Sequence, residues 1–150
     1  MILATRSDGL VIDDDVARID GDAVFAWLSI ESYWARGRPR EVIARSLAGS
    51  RVFGVYDHQG QVGLARAVTD RATYAWVCDV IVDAEHRGRG IGSWLVREVV
   101  ASLRADGVAR VVLATRDAHE VYRRLGFGPL RAPDTWMEID ERPTRPPASR

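Results

Sequence analysis

Arg87-Gly88-Arg89-Gly90-Ile91-Gly92-Ser93 is the stretch on which the reading of this chain turns. Before it runs Tyr74–Val82, rich in β-branched and aromatic residues. After it, Gly90–Ala105 carries Ile91, Leu95 and Val99 on one helical stripe, with Gly107 beyond the end. A strand therefore enters a glycine-rich turn and a long helix leaves it. Glycines at alternate positions let the backbone approach a ligand and turn its N–H groups inward. The helix start adds unsatisfied N–H groups and the positive end of its dipole. A diphosphate fits such a nest, and Arg87 and Arg89 are placed for charge-assisted contacts. The dinucleotide fingerprint G-x-G-x-x-G does not fit: begun at Gly88 it would need glycine at Ser93, and begun at Gly90 it would need glycine at Leu95.

Working outward, Leu10–Ile12 reads as a short strand. Asp22 is placed to cap a helix bearing Val24, Phe25, Trp27 and Leu28. Pro39 suits the first turn of a second helix that Gly49 ends. Arg51–Tyr56 and Gln61–Val68 form a hairpin through Asp57-His58-Gln59-Gly60. Downstream, Arg110–Thr115 reads as a strand. Asp117-Ala118-His119-Glu120 resembles a capping box opening a short helix that Gly126 closes, and Trp136–Ile139 reads as a last strand. This order predicts one α/β domain over residues 1–140, with a mixed sheet and a parallel crossover. Residues 141–150, with three prolines and no large apolar residue, read as a disordered tail.

Composition excludes several chemistries. The chain has 150 residues with 21 basic and 21 acidic groups, so a dedicated nucleic-acid or membrane-surface binder is not expected. Every basic residue is arginine. Without lysine there is no Walker-A phosphate loop and no Schiff base. The single cysteine, Cys78, excludes an internal disulfide, and with three histidines it cannot build a cysteine-rich zinc site; no metal is expected. The N-terminal residues show no signal-peptide pattern and no run is long enough to span a bilayer, so the cytoplasm is the expected compartment.

Two motifs in sequence resemble the GNAT acyltransferase superfamily. Arg87, Gly90 and Gly92 meet its acyl-CoA motif, Gln/Arg-x-x-Gly-x-Gly/Ala, after Asp79-Val80-Ile81-Val82. Val121-Tyr122-Arg123-Arg124-Leu125-Gly126-Phe127 is similar to its late helix and Tyr-x-x-Leu-Gly-Phe ending. The resemblance implies a sheet of six to seven strands flanked by about four helices, and acetyl-CoA as acyl donor. It implies that Val80, Ile81 and Val82 meet the pantetheine arm through the main chain, and that the diphosphate sits on Arg87, Gly88, Arg89, Gly90, Ile91, Gly92 and Ser93. It also implies direct transfer to a primary amine, a backbone N–H near Val80 on the thioester oxygen, and Tyr122 as proton donor to the departing thiolate. A non-catalytic acyl-CoA-binding module on the same fold is the alternative.

The amine's base is left open by the residues. Relatives often carry a carboxylate where Cys78 stands. Asp79 is the nearest acid, and a bulge would turn it toward the cleft; its other role is to accept arginine or backbone hydrogen bonds. His119 and an ordered water are further options. A cysteine nucleophile at Cys78 with His119 is a rival that lacks any local motif. Tyr33, Trp34 and Arg38, with Asp79, are the candidate acceptor residues, with Arg116 and Asp117 as neighbours. The expected acceptor is a small-molecule amine, and the segment around Trp136 is available for a homodimer.

Overall fold

A meander of hairpins builds most of the sheet. The computed structural model describes residues 1–143, so Thr144–Arg150 of the expected tail lie outside the described residues. Strands β1 (Ile2–Thr5), β2 (Val11–Asp13), β3 (Arg51–Tyr56), β4 (Gln61–Thr69), β5 (Ala75–Val82) and β6 (Val111–Val112) lie side by side in chain order. Every neighbouring pair is antiparallel except β5 and β6, which are parallel. The β3–β4 turn closes as its sequence demands: the Asp57 carboxylate accepts from the Gln59 and Gly60 N–H groups at 2.7 and 2.9 Å.

The helices are α1 (Gly21–Phe25), which continues as a π-helical turn over Ala26–Glu31, α2 (Arg40–Ala48), α3 (Ile91–Ala105) and α4 (His119–Arg124). Each sheet face has its own core. Trp94, Leu95, Val99 and Leu103 of α3 pack on Phe53, Val55, Ala65 and Val77. On the opposite face Val24, Trp27 and Leu28 from the first helical segment, with Ile43 and Leu47 of α2, pack on Val52, Leu64 and Ile81. A buried guanidinium ties the ends together: Arg51 donates to Asp106 at 2.7 Å, to Asp14 at 3.1 Å and to Ser102 at 2.8 Å.

Several sequence expectations need correction. Asp20, not Asp22, caps α1, accepting from the N–H groups of Asp22 and Ala23; both aspartates are good caps, and only the chain direction selects between them. The Asp117 capping box does not form. Instead Thr115 Oγ1 accepts from the Ala118 N–H at 3.0 Å. Of Arg110–Thr115 only Val111–Val112 pairs as strand, because the chain diverges from β5 after Trp76. Trp136–Ile139 forms no strand, and Met137 and Ile139 are 95% and 94% exposed. The sixth strand is instead β1, which the sequence reading did not assign.

Gly54 on β3 is required by contact rather than by dihedral freedom. A Cβ there would lie 2.3 Å from the Tyr56 hydroxyl, which is buried and has no hydrogen-bond partner among the described residues. Burial pushes the Tyr56 phenol up to about 12. Gly54→Ala should therefore lower unfolding free energy by about 1–3 kcal/mol in urea titration, the usual range for overpacking. An unchanged midpoint would contradict this contact.

Candidate active site

Strand alternation breaks inside β5. Ala75 and Val77 belong to the core under α3, but Ile81 belongs to the opposite core, and Val80 and Val82 pack toward α3 instead. The register explains the switch: Leu64 faces Ile81 while Arg66 faces Cys78, so β5 carries one extra residue opposite β4. Asp79 absorbs the irregularity with φ of 50°, in the left-handed region that a non-glycine residue seldom occupies.

The Asp79 side chain is 2% exposed and fully engaged. Its Oδ2 accepts from Arg38 Nη1 and Arg66 Nε, both at 2.9 Å, and its Oδ1 accepts from the Trp34 indole at 2.9 Å. The carboxylate thus makes the arginine hydrogen bonds expected of its structural role, with the Trp34 indole as a third donor. The loop that supplies Trp34 and Arg38 is held by local bonds. Ser32 Oγ donates to the Leu28 carbonyl at 2.6 Å and accepts from the Ala35 N–H at 3.0 Å. Tyr33 packs edge-on against Trp34, and the Arg116 guanidinium lies 3.9 Å from the Tyr33 ring centroid. Thus Tyr33, Trp34, Arg38 and Asp79 form one cluster, which Arg66 joins; no local pattern pointed to Arg66.

On the α3 side a cleft of about 410 Å³ opens between the end of β5, the start of α3 and α4. Val80 and Val82 form its floor, the Gly88–Ser93 segment one wall, and Val121 and Tyr122 the other. β6 pairs with β5 only at Ala75 and Trp76, so the outer edge of β5 from Val77 onward has no strand partner among the described residues. Gly88 and Gly90 are left-handed, with φ of 78° and 71°. No side chain caps α3, which leaves the first-turn N–H groups of Ile91, Gly92 and Ser93 without helical partners. These features make the wall an anion site with room for backbone contact. Ile81 is not among the residues that line the cleft, and its side chain lies in the opposite core. Arg89 is turned away, paired with Asp8 at 3.2 Å, whereas Arg87 lines the cleft and its Nε donates to the Val82 carbonyl at 3.1 Å.

Tyr122 is half-buried, edge-on to Phe127. Burial pushes its pKa above 10, and the nearby Tyr33 and Asp117 add to the rise, so it is a neutral phenol at pH 7. Cys78 is pushed up to about 11 by burial, with Arg66 pulling the other way. It stays a thiol, which removes the basis for a cysteine nucleophile. His119 is exposed. The histidine at the cleft is His86, which the sequence reading passed over. Its Nδ1 lies 3.0 Å from Asp83 Oδ2 and its Nε2 lies 3.2 Å from Asp57 Oδ2.

Residues 21–127 match the Acetyltransferase (GNAT) family. The chain belongs to that family. A protein of Gibberella zeae assigned to the acetyltransferases is 30% identical over 148 residues, covering 85% of this chain and 83% of that protein. A Glycine max protein named as a histone acetyltransferase is 36% identical over 67 residues, 44% of this chain and 29% of that protein; the chain spans under a third of that relative's length. Among solved structures, a Xanthomonas campestris pv. campestris protein assigned to the GNAT family superposes with a TM-score of 0.84 at 34% identity. That match covers 91% of this chain and 95% of the other. A GNAT-family acetyltransferase from Elizabethkingia anophelis, crystallised with acetyl-CoA bound, shares the fold at a TM-score of 0.60 and 15% identity, over 80% and 74% of the two chains. This GNAT protein is an acyltransferase by family and fold.

Two outcomes follow from the site's electrostatics. Asp79→Ala leaves the Arg38 and Arg66 guanidinium groups without their carboxylate, and chemical denaturation should show a loss of about 3–5 kcal/mol, the range for breaking a buried pair. A loss under 1 kcal/mol would mean the network is not structural. His86 is raised above 6.5, chiefly by its hydrogen bond to Asp83 and then by that to Asp57. A raised folded value means its protonation stabilises the fold below pH 6.5, and that this contribution fades as pH climbs through the raised value. His86→Gln should flatten the fall in stability between pH 6 and pH 9 (thermal melts across about three units suffice). An unaltered slope would place that proton elsewhere.

Proposed function

We propose that this GNAT protein transfers the acetyl group of acetyl-CoA directly to a primary amine of a small molecule. The observation that carries the reading is the cleft itself. An uncapped, glycine-lined helix start lies at one wall and a neutral phenol at the other, with the unpaired edge of β5 between them.

The residues divide the work by position. The N–H groups of Ile91, Gly92 and Ser93, with the Gly88–Gly90 backbone and the exposed Arg87 guanidinium, suit a diphosphate. The free edge at Val80 and Val82 suits the amide-bearing pantetheine arm, which pairs with backbone as a strand would. The left-handed turn at Asp79 redirects the strand so that the backbone N–H next to it, at Val80, is the candidate donor to the thioester oxygen. One such donor is worth about 3 kcal/mol where charge develops. The neutral amine nitrogen forms its bond to the carbonyl carbon and releases its surplus proton to solvent, the carbon–sulfur bond breaks, and the thiolate takes the proton of the Tyr122 hydroxyl, which solvent then restores. Because the Asp79 oxygens already hold three donors, the amine must arrive neutral. The guanidinium groups of Arg38 and Arg66 favour that form by disfavouring an ammonium beside them.

Calorimetric titration with acetyl-CoA, with ATP and NADH as controls, tests the donor. Thiol release with an amine panel tests transfer, and binding without release would point to an acyl-CoA-binding module instead. Tyr122→Phe should lower kcat about a hundredfold, within the range for general acid catalysis, while leaving the acetyl-CoA Kd nearly unchanged. Equal kcat in single-turnover kinetics would remove Tyr122 from the chemistry.

A further inference from the structure

The cluster on the α1 and α2 face carries more positive charge than it balances. Arg38 and Arg66 share a single carboxylate, that of Asp79, and both donate to the same oxygen. The remaining partners are neutral: the Trp34 indole on Asp79 Oδ1 at 2.9 Å, and the Ser50 hydroxyl, which accepts from Arg66 Nη1 at 3.0 Å. The Arg66 and Arg38 side chains are 10% and 24% exposed, so water offsets little of the surplus. Burying a charge without a counter-ion is costly, and folded proteins seldom tolerate it without a reason.

A third guanidinium meets the same aromatic pair. The Arg116 guanidinium carbon lies 3.9 Å from the Tyr33 ring centroid, and Arg116 forms no ion pair among the described residues. Tyr33 in turn meets Trp34 at 5.1 Å between ring centroids, and Trp34 meets Asp79. Arg116 and the Arg38–Asp79–Arg66 group therefore meet the same pair of aromatic rings, Arg116 at Tyr33 and Asp79 at Trp34. A guanidinium stacked on a ring leaves its N–H edge open for bidentate contact with a planar or tetrahedral anion. The neighbouring acids do not cancel the surplus. Glu31 lies toward Arg87, at 3.8 Å, and Asp117 is exposed with its field on Tyr122.

We propose that the acceptor amine carries an anionic group, a carboxylate or a phosphate, which seats against Arg116 and Arg38 beside the Tyr33–Trp34 pair. The inference rests on the reading of this protein as an amine acyltransferase, and it supplies the substrate class. The anion offsets the surplus charge that a simple amine would meet as repulsion.

The test pairs amines that differ only in the anion: phenylalanine against phenylalaninamide, and phosphoethanolamine against ethanolamine. Acetyl-CoA binding is measured first by calorimetry. With that binding intact, the anionic member of at least one pair should show kcat/KM about tenfold higher or more, equivalent to one decade of affinity. Which pair responds distinguishes carboxylate from phosphate. Arg116→Ala should bring the ratio close to one, and Arg116→Lys, which keeps the charge, should restore part of it. Neutral amines turned over as well as or better than their anionic partners, or no turnover of either anionic amine, would overturn the proposal while leaving the donor site standing. So would an Arg116→Ala variant that loses acetyl-CoA affinity and keeps its acceptor preference. Absent acetyl-CoA binding would instead bring down the acyltransferase reading, and this inference with it.

Discussion

One extra residue in β5 organises the site. The bulge at Asp79 reverses the side-chain phase of the strand, sending Ile81 into the core beneath α1 and α2 and turning Val80 and Val82 toward α3. A non-glycine residue in the left-handed region costs about 1–2 kcal/mol, so something must hold it there. Here that is a carboxylate tied by three short hydrogen bonds to the indole of Trp34 and the guanidinium groups of Arg38 and Arg66. Strain in the backbone and charge in the side chains are thus joined at one residue, at the seam between the two halves of the site.

From that seam each half follows. Toward α3, the strand edge is free because β6 pairs at only two positions, and the gap between β5 and α4 becomes the cleft. The glycine turn and the uncapped start of α3 form its polar wall, with no lysine needed. Toward α1 and α2, the π-helical turn ends at a loop whose own hydrogen bonds present two aromatics and an arginine. The local field there is positive. In the proposed transfer that field favours a neutral amine over an ammonium, in place of a free carboxylate base beside the bulge.

Much of this was legible in the chain, and the gaps have physical causes. Hairpin, glycine loop and the long amphipathic helix depend on nearby residues, so β3, β4, β5, α2 and α3 were readable to within a residue or two. The position of Tyr122 on α4 was readable through its motif. The extent of β6 was not, because Val111-Val112-Leu113 has the same strand character whether or not a neighbour follows it. Trp136–Ile139 has an apolar pattern too, yet no strand lies beside it among the described residues. The four residues of β1 carry too little pattern to stand out. Arg66 reads as an ordinary strand residue, and its role exists only because the bulge next to its partner Cys78 turns the Asp79 carboxylate toward it. His86 had one local clue, the i, i+3 spacing from Asp83, but its second partner, Asp57, comes from a distant turn.

The central claim is that the bulged strand and the glycine turn receive the donor through their backbone. Amide chemical shifts during titration of isotope-labelled protein with acetyl-CoA address it residue by residue. The account expects the largest changes at the N–H groups of Val80, Val82 and Gly88–Ser93, with Tyr122 next and β1–β2 silent. Saturable binding that leaves those amides unmoved and perturbs another face would contradict it.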